Sequence, residues 1–84
     1  MGLYYITFRS VTFAQRGQGV LNRAGIPSTL LRTPRWMEEQ GCGYCLRLRL
    51  RDPAAAMALL RQHGVPMRKV YLQNDEGGLE QWLP

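Results

Sequence analysis

The sequence predicts an α+β fold, a ferredoxin-like βαββαβ sandwich with a four-stranded antiparallel sheet and two helices on one face. Three observations predict it. Strand-like and helix-like periodicities follow one another in that order along the 84 residues. The segment Leu46 to Arg51 alternates leucine and arginine in a strict period of two. The pattern Leu21-Asn22-Arg23-Ala24-Gly25-Ile26-Pro27 returns as Leu60-Arg61-Gln62-His63-Gly64-Val65-Pro66, at a constant offset of 39 residues. Two strand-helix-turn units facing each other are what this fold requires. Right-handed crossovers then put the first and third strands in the centre of the sheet. One sheet face is left without helices.

Each element has its own signal. Tyr4-Tyr5-Ile6-Thr7-Phe8 is aromatic and β-branched, as strands are. Ser10 is placed to cap a helix over Val11 to Ala24, with small or apolar residues at 11, 14, 17, 21 and 24. Gly17 and Gly19 each weaken that helix by about 1 kcal/mol against alanine, a cost that close packing on the sheet would explain. Gly25 and then Ile26-Pro27 end it. Ser28 to Arg32 is a second strand, broken by Thr33-Pro34-Arg35. After a loop through Trp36 to Gly43 comes the Leu/Arg strand. Asp52-Pro53 opens a second helix, Ala54 to His63, which Gly64 closes. Arg68 to Leu72 is the last strand, and Asn74-Asp75-Glu76-Gly77-Gly78 is a turn or frayed end. Residues 1–74 therefore form one domain, and 75–84 a C-terminal tail whose Leu79, Trp82 and Leu83 either fold back or trail.

A chain this short buries about 60–65% of its unfolded surface, so chemistry belongs on a loop or an interface rather than in a deep pocket. No stretch of 18 apolar residues exists to cross a membrane. The N-terminus lacks the basic start of a signal peptide, so the cytoplasm is the expected compartment. There, two cysteines point to reactive or metal-binding thiols before a structural disulfide.

Cys42-Gly43-Tyr44-Cys45 is a C-x-x-C sequence. Two cysteines placed at random would show this separation roughly 2% of the time, so the spacing itself is a signal. Gly41 and Gly43 leave the Cys42 thiol little side-chain cover. Cys45 shares the parity of Arg47 and Arg49 and is expected on the uncovered sheet face. A thiol works as thiolate, and nearby guanidinium groups lower its pKa; Arg32, Arg35 and Arg47 are the candidates. The competing readings are a buried, inert Cys45 with an incidental loop thiol, a dithiol redox pair, and a zinc shared between two protomers. One C-x-x-C supplies only two of four zinc ligands. The single histidine, His63, belongs to a helix end. A thioredoxin-like site is disfavoured because this motif precedes a strand instead of opening a helix. No resident metal is assigned.

The ordered set Phe8-Arg9-Ser10, Ala24-Gly25-Ile26-Pro27, Thr33-Pro34-Arg35, Cys42-Gly43 and Gly64-Val65-Pro66 resembles the selenium/sulfur carrier-like family of small bacterial proteins. The resemblance covers residues 3–72. It implies a carrier, which need not itself be an enzyme, that holds sulfur or selenium on one cysteine as a persulfide or selenopersulfide. By this resemblance Cys42 is the carrying thiol, Thr33, Pro34 and Arg35 are the Thr-Pro-Arg element, and no cofactor is needed beyond the covalently held atom. Cys45 departs from the family pattern, either as a resolving thiol able to form a disulfide with Cys42 or as a core substitution. The implied partners are donor and acceptor proteins, with a second copy of the chain as a further candidate.

Strand parity puts Tyr5, Thr7, Arg9, Arg47, Arg49, Arg51, Lys69 and Tyr71 on the uncovered face. Aromatic and basic side chains there suit RNA or an acidic protein. The third strand lacks the aromatics of the RNA-recognition motif, which argues against RNA. Trp36, in the cysteine loop, is either an anchor for a partner or a lid over the core edge.

Overall fold

The computed structural model describes residues 2–33, 43–74 and 76–82. The β-rich N-terminus forms β1 (Gly2–Phe8), and Ser10 turns the chain into α1 (Val11–Arg23). Ser10 has extended backbone torsions, and its hydroxyl accepts from the Phe13 N–H at 3.3 Å, as an N-cap does. β2 (Thr29–Arg32) and the alternating β3 (Tyr44–Leu50) follow. α2 (Ala54–Gln62) comes next, its first turn held by Asp52 Oδ1 accepting from Ala54 N–H at 2.8 Å. β4 (Val70–Gln73) completes the expected set.

The echo at offset 39 is a repeated helix stop. Ile26 N–H donates to Leu21 O at 2.8 Å, and Val65 N–H to Leu60 O at 2.8 Å. Gly25 (φ +80°) and Gly64 (φ +68°) supply the left-handed residue between, and proline follows each time. Both are Schellman closures, which leave no room to extend the helix. Replacing Gly64 by alanine is expected to cost about 1–2 kcal/mol, because the strain of φ > 0 falls on a Cβ.

The sheet is antiparallel and has five strands in the order β2-β3-β1-β4-β5. The expectation of four strands is corrected here. Residues 79–81, expected in a tail, form β5 (Leu79–Gln81), paired to β4. Asn74 makes this hairpin: its side-chain oxygen accepts from Glu76 and Gly78 N–H groups, at 3.0 and 2.9 Å. Beyond β5, Trp82 N–H donates to Val70 O at 2.8 Å, and its side chain packs on the core. β1 and β3 lie centrally among the first four strands, as the crossover argument expects.

Tyr4, Ile6 and Phe8 of β1 register with Leu48, Leu46 and Tyr44 of β3, so the core face follows the period of two. α1 buries Ala14, Gly17, Val20 and Leu21 on it, and α2 buries Ala56, Met57 and Leu60. Ala24, expected on the apolar stripe, is exposed at the C-cap, and Val20 takes its place. The two helical glycines differ. A Cβ on Gly17 would meet Phe8 Cζ at 3.2 Å, Leu60 Cδ2 at 3.3 Å and Leu46 Cδ1 at 3.4 Å, so both helices and two strands close on this point. A Cβ on Gly19 would meet only Arg23 Nη1, at 3.6 Å. Gly19→Ala is therefore expected to stabilise the protein by about 0.5–1 kcal/mol in urea unfolding. Any destabilisation would contradict this packing.

Candidate functional site

The strand register decides which residues gather where the C-x-x-C sequence enters the sheet. β1 ends, β3 begins and β2 ends at the same edge, since Phe8 and Arg32 both register with Tyr44. Thr33 N–H donates to Gly43 O at 2.9 Å, which ties together the two ends of the segment 34–42. The approach to β4 reaches the same edge: Thr7 N–H donates to Lys69 O and Arg68 N–H to Thr7 O, both at 2.8 Å. Lys69 N–H also donates to Thr7 Oγ1 at 3.0 Å.

This edge is cationic. Arg9 directly follows β1, Arg32 ends β2, and Arg68 and Lys69 precede β4. The Arg32 guanidinium sits 5.8 Å from the Tyr44 ring centre, within cation–π range. Asp52, Glu76 and Glu80 are the acidic residues among the described ones. Asp52 follows the far end of β3, and Glu76 and Glu80 belong to the β4–β5 hairpin, which turns at the far edge. Among the described residues, carboxylates thus lie toward the far end of the strands, while cations lie at both ends, Arg51 following β3 there. Sequence reasoning named Arg32 for this site but left Arg9 and Lys69 to the sheet face and missed Arg68. Only strand pairing brings residues 9, 32, 43 and 68 together.

Of the expected site residues, Thr33, Gly43, Cys45, Arg47 and Arg49 are described. Cys42, Arg35, Trp36, Pro34 and Gly41 lie outside the described residues. Cys45 has the expected parity, between Thr7 of β1 and Leu31 of β2. Its exposure is nevertheless corrected: Cys45 is 0% exposed, with Thr7 at 1%. Cys45 and Thr7 stand side by side in register and are both buried, whereas the longer Arg49 side chain on the same face of β3 reaches water. Burial raises the Cys45 thiol pKa, while the Thr33 hydroxyl and the Arg47 guanidinium pull it down without prevailing. Thr33 Oγ1 is itself buried and has no hydrogen-bond partner among the described residues, so its effect on the thiol comes without full bonding geometry.

A raised thiol pKa makes the folded state hold its proton more tightly than the unfolded chain does. Its contribution to stability is complete below the ordinary thiol pKa, about 8.5, and is lost as pH rises toward the raised value. Cys45→Ala should therefore flatten the fall in unfolding free energy as pH rises above the ordinary thiol value. Parallel curves for wild type and variant would show that the thiol does not titrate with folding.

The uncovered face is shorter than expected. Tyr5 lies between Arg47 and Tyr71 in register, with Arg49 opposite Leu3, and Tyr5 Oη donates to Gln73 Oε1 at 3.3 Å. Arg9 and Arg51 fall beyond their strands and do not extend the row, because the chain bends there. Among the described residues, no group of three or more His, Cys, Asp or Glu side chains is placed to hold a metal ion. No helix among them is long and apolar enough to cross a membrane.

Fold and site together define a small α+β protein whose cysteine motif enters a five-stranded sheet at a cationic edge. The model of the family described as "Putative Se/S carrier protein-like" matches residues 3–72, and the chain belongs to that family. No curated protein and no solved structure matches it.

Proposed function

We infer that this protein is a sulfur or selenium carrier that loads Cys42 and passes the atom between partner proteins in the cytoplasm. Family membership supports the reading, and the cationic edge is the single structural observation that carries it. Cys42 is bonded to Gly43, whose carbonyl is held by Thr33 at that edge. Cations nearby favour thiolate over thiol. Arg35 and Arg47 serve the same end in this reading, and Trp36 serves docking. Cys45, buried with a raised pKa, is the core substitution and not the resolving thiol. The strand order β2-β3-β1-β4 supports reading the fold as ferredoxin-like with one added edge strand.

The chemistry is an exchange without net oxidation. The Cys42 thiolate attacks the outer sulfur of a donor persulfide, forms a new S–S bond and releases the donor's cysteine as thiolate. An acceptor nucleophile then attacks the outer sulfur of the Cys42 persulfide, and Cys42 leaves as thiolate. The selenium case differs only in the atom transferred. Neither step needs a deep pocket. Intact-mass spectrometry after incubation with a cysteine desulfurase and cysteine tests the reading: a gain of about 32 Da per sulfur supports it, and an unchanged mass refutes it.

A second reading places binding on the uncovered face, favoured by Tyr5 standing between Arg47 and Tyr71 with Arg49 nearby. It predicts RNA retention at low salt that survives cysteine replacement and falls as salt rises. No retention at low salt removes it.

A further inference from the structure

Two shallow grooves adjoin the segment 66–69, whose Lys69 belongs to the cationic edge. One, of ≈ 360 Å³, runs between the end of α2 and β5, lined by Met57, Arg61, Met67, Lys69, Gln81 and Trp82 among others. The second, of ≈ 580 Å³, lies between the end of β1 and the start of α1, where Arg9 and Phe13 face Met67 and Lys69. They share the segment 66–69 and so form one band. Methionine and aromatic side chains are interleaved with Arg9, Arg61 and Lys69, and among the described residues no acidic side chain lines either groove. The described carboxylates sit toward the opposite end of the sheet. Gln81 and Trp82 lie beyond the family match at residues 3–72, so this wall belongs to the added strand.

We propose that this band docks an acidic, partly apolar peptide segment of a partner protein. The charge pattern selects the occupant. A purely apolar segment would leave Arg61 and Lys69 desolvated without partners, whereas a segment alternating carboxylates and apolar side chains satisfies both kinds of lining. Methionines adapt to varied apolar shapes, and a half-buried tryptophan gives an anchor. Trp82 directly follows β5, and its own N–H donates to Val70 O. The inference stands whether or not Cys42 carries an atom.

Nuclear magnetic resonance titration of the ¹⁵N-labelled full chain tests it, with a short peptide alternating glutamate and leucine as probe. Saturating shifts should centre on Met57, Arg61, Met67, Lys69 and Trp82. The double variant Arg61→Glu, Lys69→Glu should weaken binding roughly tenfold or more, and Arg16→Glu on exposed α1 by less than about twofold. The proposal is overturned by a glutamine-for-glutamate peptide binding equally well, or by an equal loss in Arg16→Glu. Shifts centred on Tyr5, Arg47 and Tyr71 would overturn it too, as would oligouridylate RNA displacing the peptide from the same residues. Sulfur loading of Cys42, read separately by mass, distinguishes failure of this docking site from failure of the carrier reading.

Discussion

Cys42→Ser protein is expected to emerge from incubation with a cysteine desulfurase and cysteine at its unmodified mass, while the wild-type chain gains sulfur. The effect should be all or none, because a serine hydroxyl is not ionised at neutral pH and forms no stable bond to sulfane sulfur. The partner variant makes the result specific. Cys45→Ala should still load, since Cys45 is sealed from solvent and burial keeps its thiol protonated. Loading that follows Cys45 instead of Cys42 would overturn the assignment. A thiol reagent gives an independent check. In Cys42→Ser protein it should reach Cys45 only as fast as the fold opens, so labelling should accelerate with urea.

Phe8→Ala is expected to cost about 3–5 kcal/mol in urea unfolding, as deletion of a fully buried aromatic ring does. A chain of this size has on the order of 4–13 kcal/mol in total, so the variant is left marginal. Phe8 is 0% exposed and stands where β1, β3, α1 and α2 converge on Gly17. The midpoint should fall with little change in the denaturant slope. Phe8→Leu should cost less than about 1.5 kcal/mol, because the volume is largely kept. The pair Gly17→Ala and Phe8→Leu should be non-additive, since the new Cβ meets the Phe8 ring at 3.2 Å. Strict additivity, or a cost for Phe8→Ala below about 1 kcal/mol, would mean that this junction does not hold the sheet to its helices.

Much of the fold is legible in the residues alone. The Leu/Arg alternation of β3 shows which face is core, and both helix ends can be read from Gly followed by a β-branched residue and proline. These signals are local, set by torsional preference and by the period at which a strand or helix turns its side chains. β5 is not legible in this way. Three residues, Leu79-Glu80-Gln81, carry no period, and only the Asn74-centred turn and the open edge of β4 make them a strand. Gly17 and Gly19 look alike in the sequence, yet only one faces a neighbour close enough to need the missing Cβ.

The candidate site divides in the same way. The C-x-x-C sequence and the Thr33-Pro34-Arg35 element are visible as spacing and type, and with the family order they single out the thiol proposed to carry the atom. Parity, however, assigns Cys45 a side of the sheet and not its depth. Its neighbours across the sheet, Thr7 and Leu31, are distant in the chain. The meeting of Arg9, Arg32, Arg68 and Lys69 at one edge follows from strand pairing across the sheet. Sequence by itself determined the kinds of element, their order, their ends and the residue types able to do chemistry, because those depend on neighbours along the chain. The tertiary structure alone decided that Cys45 is buried and where the described cations collect, because accessibility and electrostatic field sum over residues that only folding brings together.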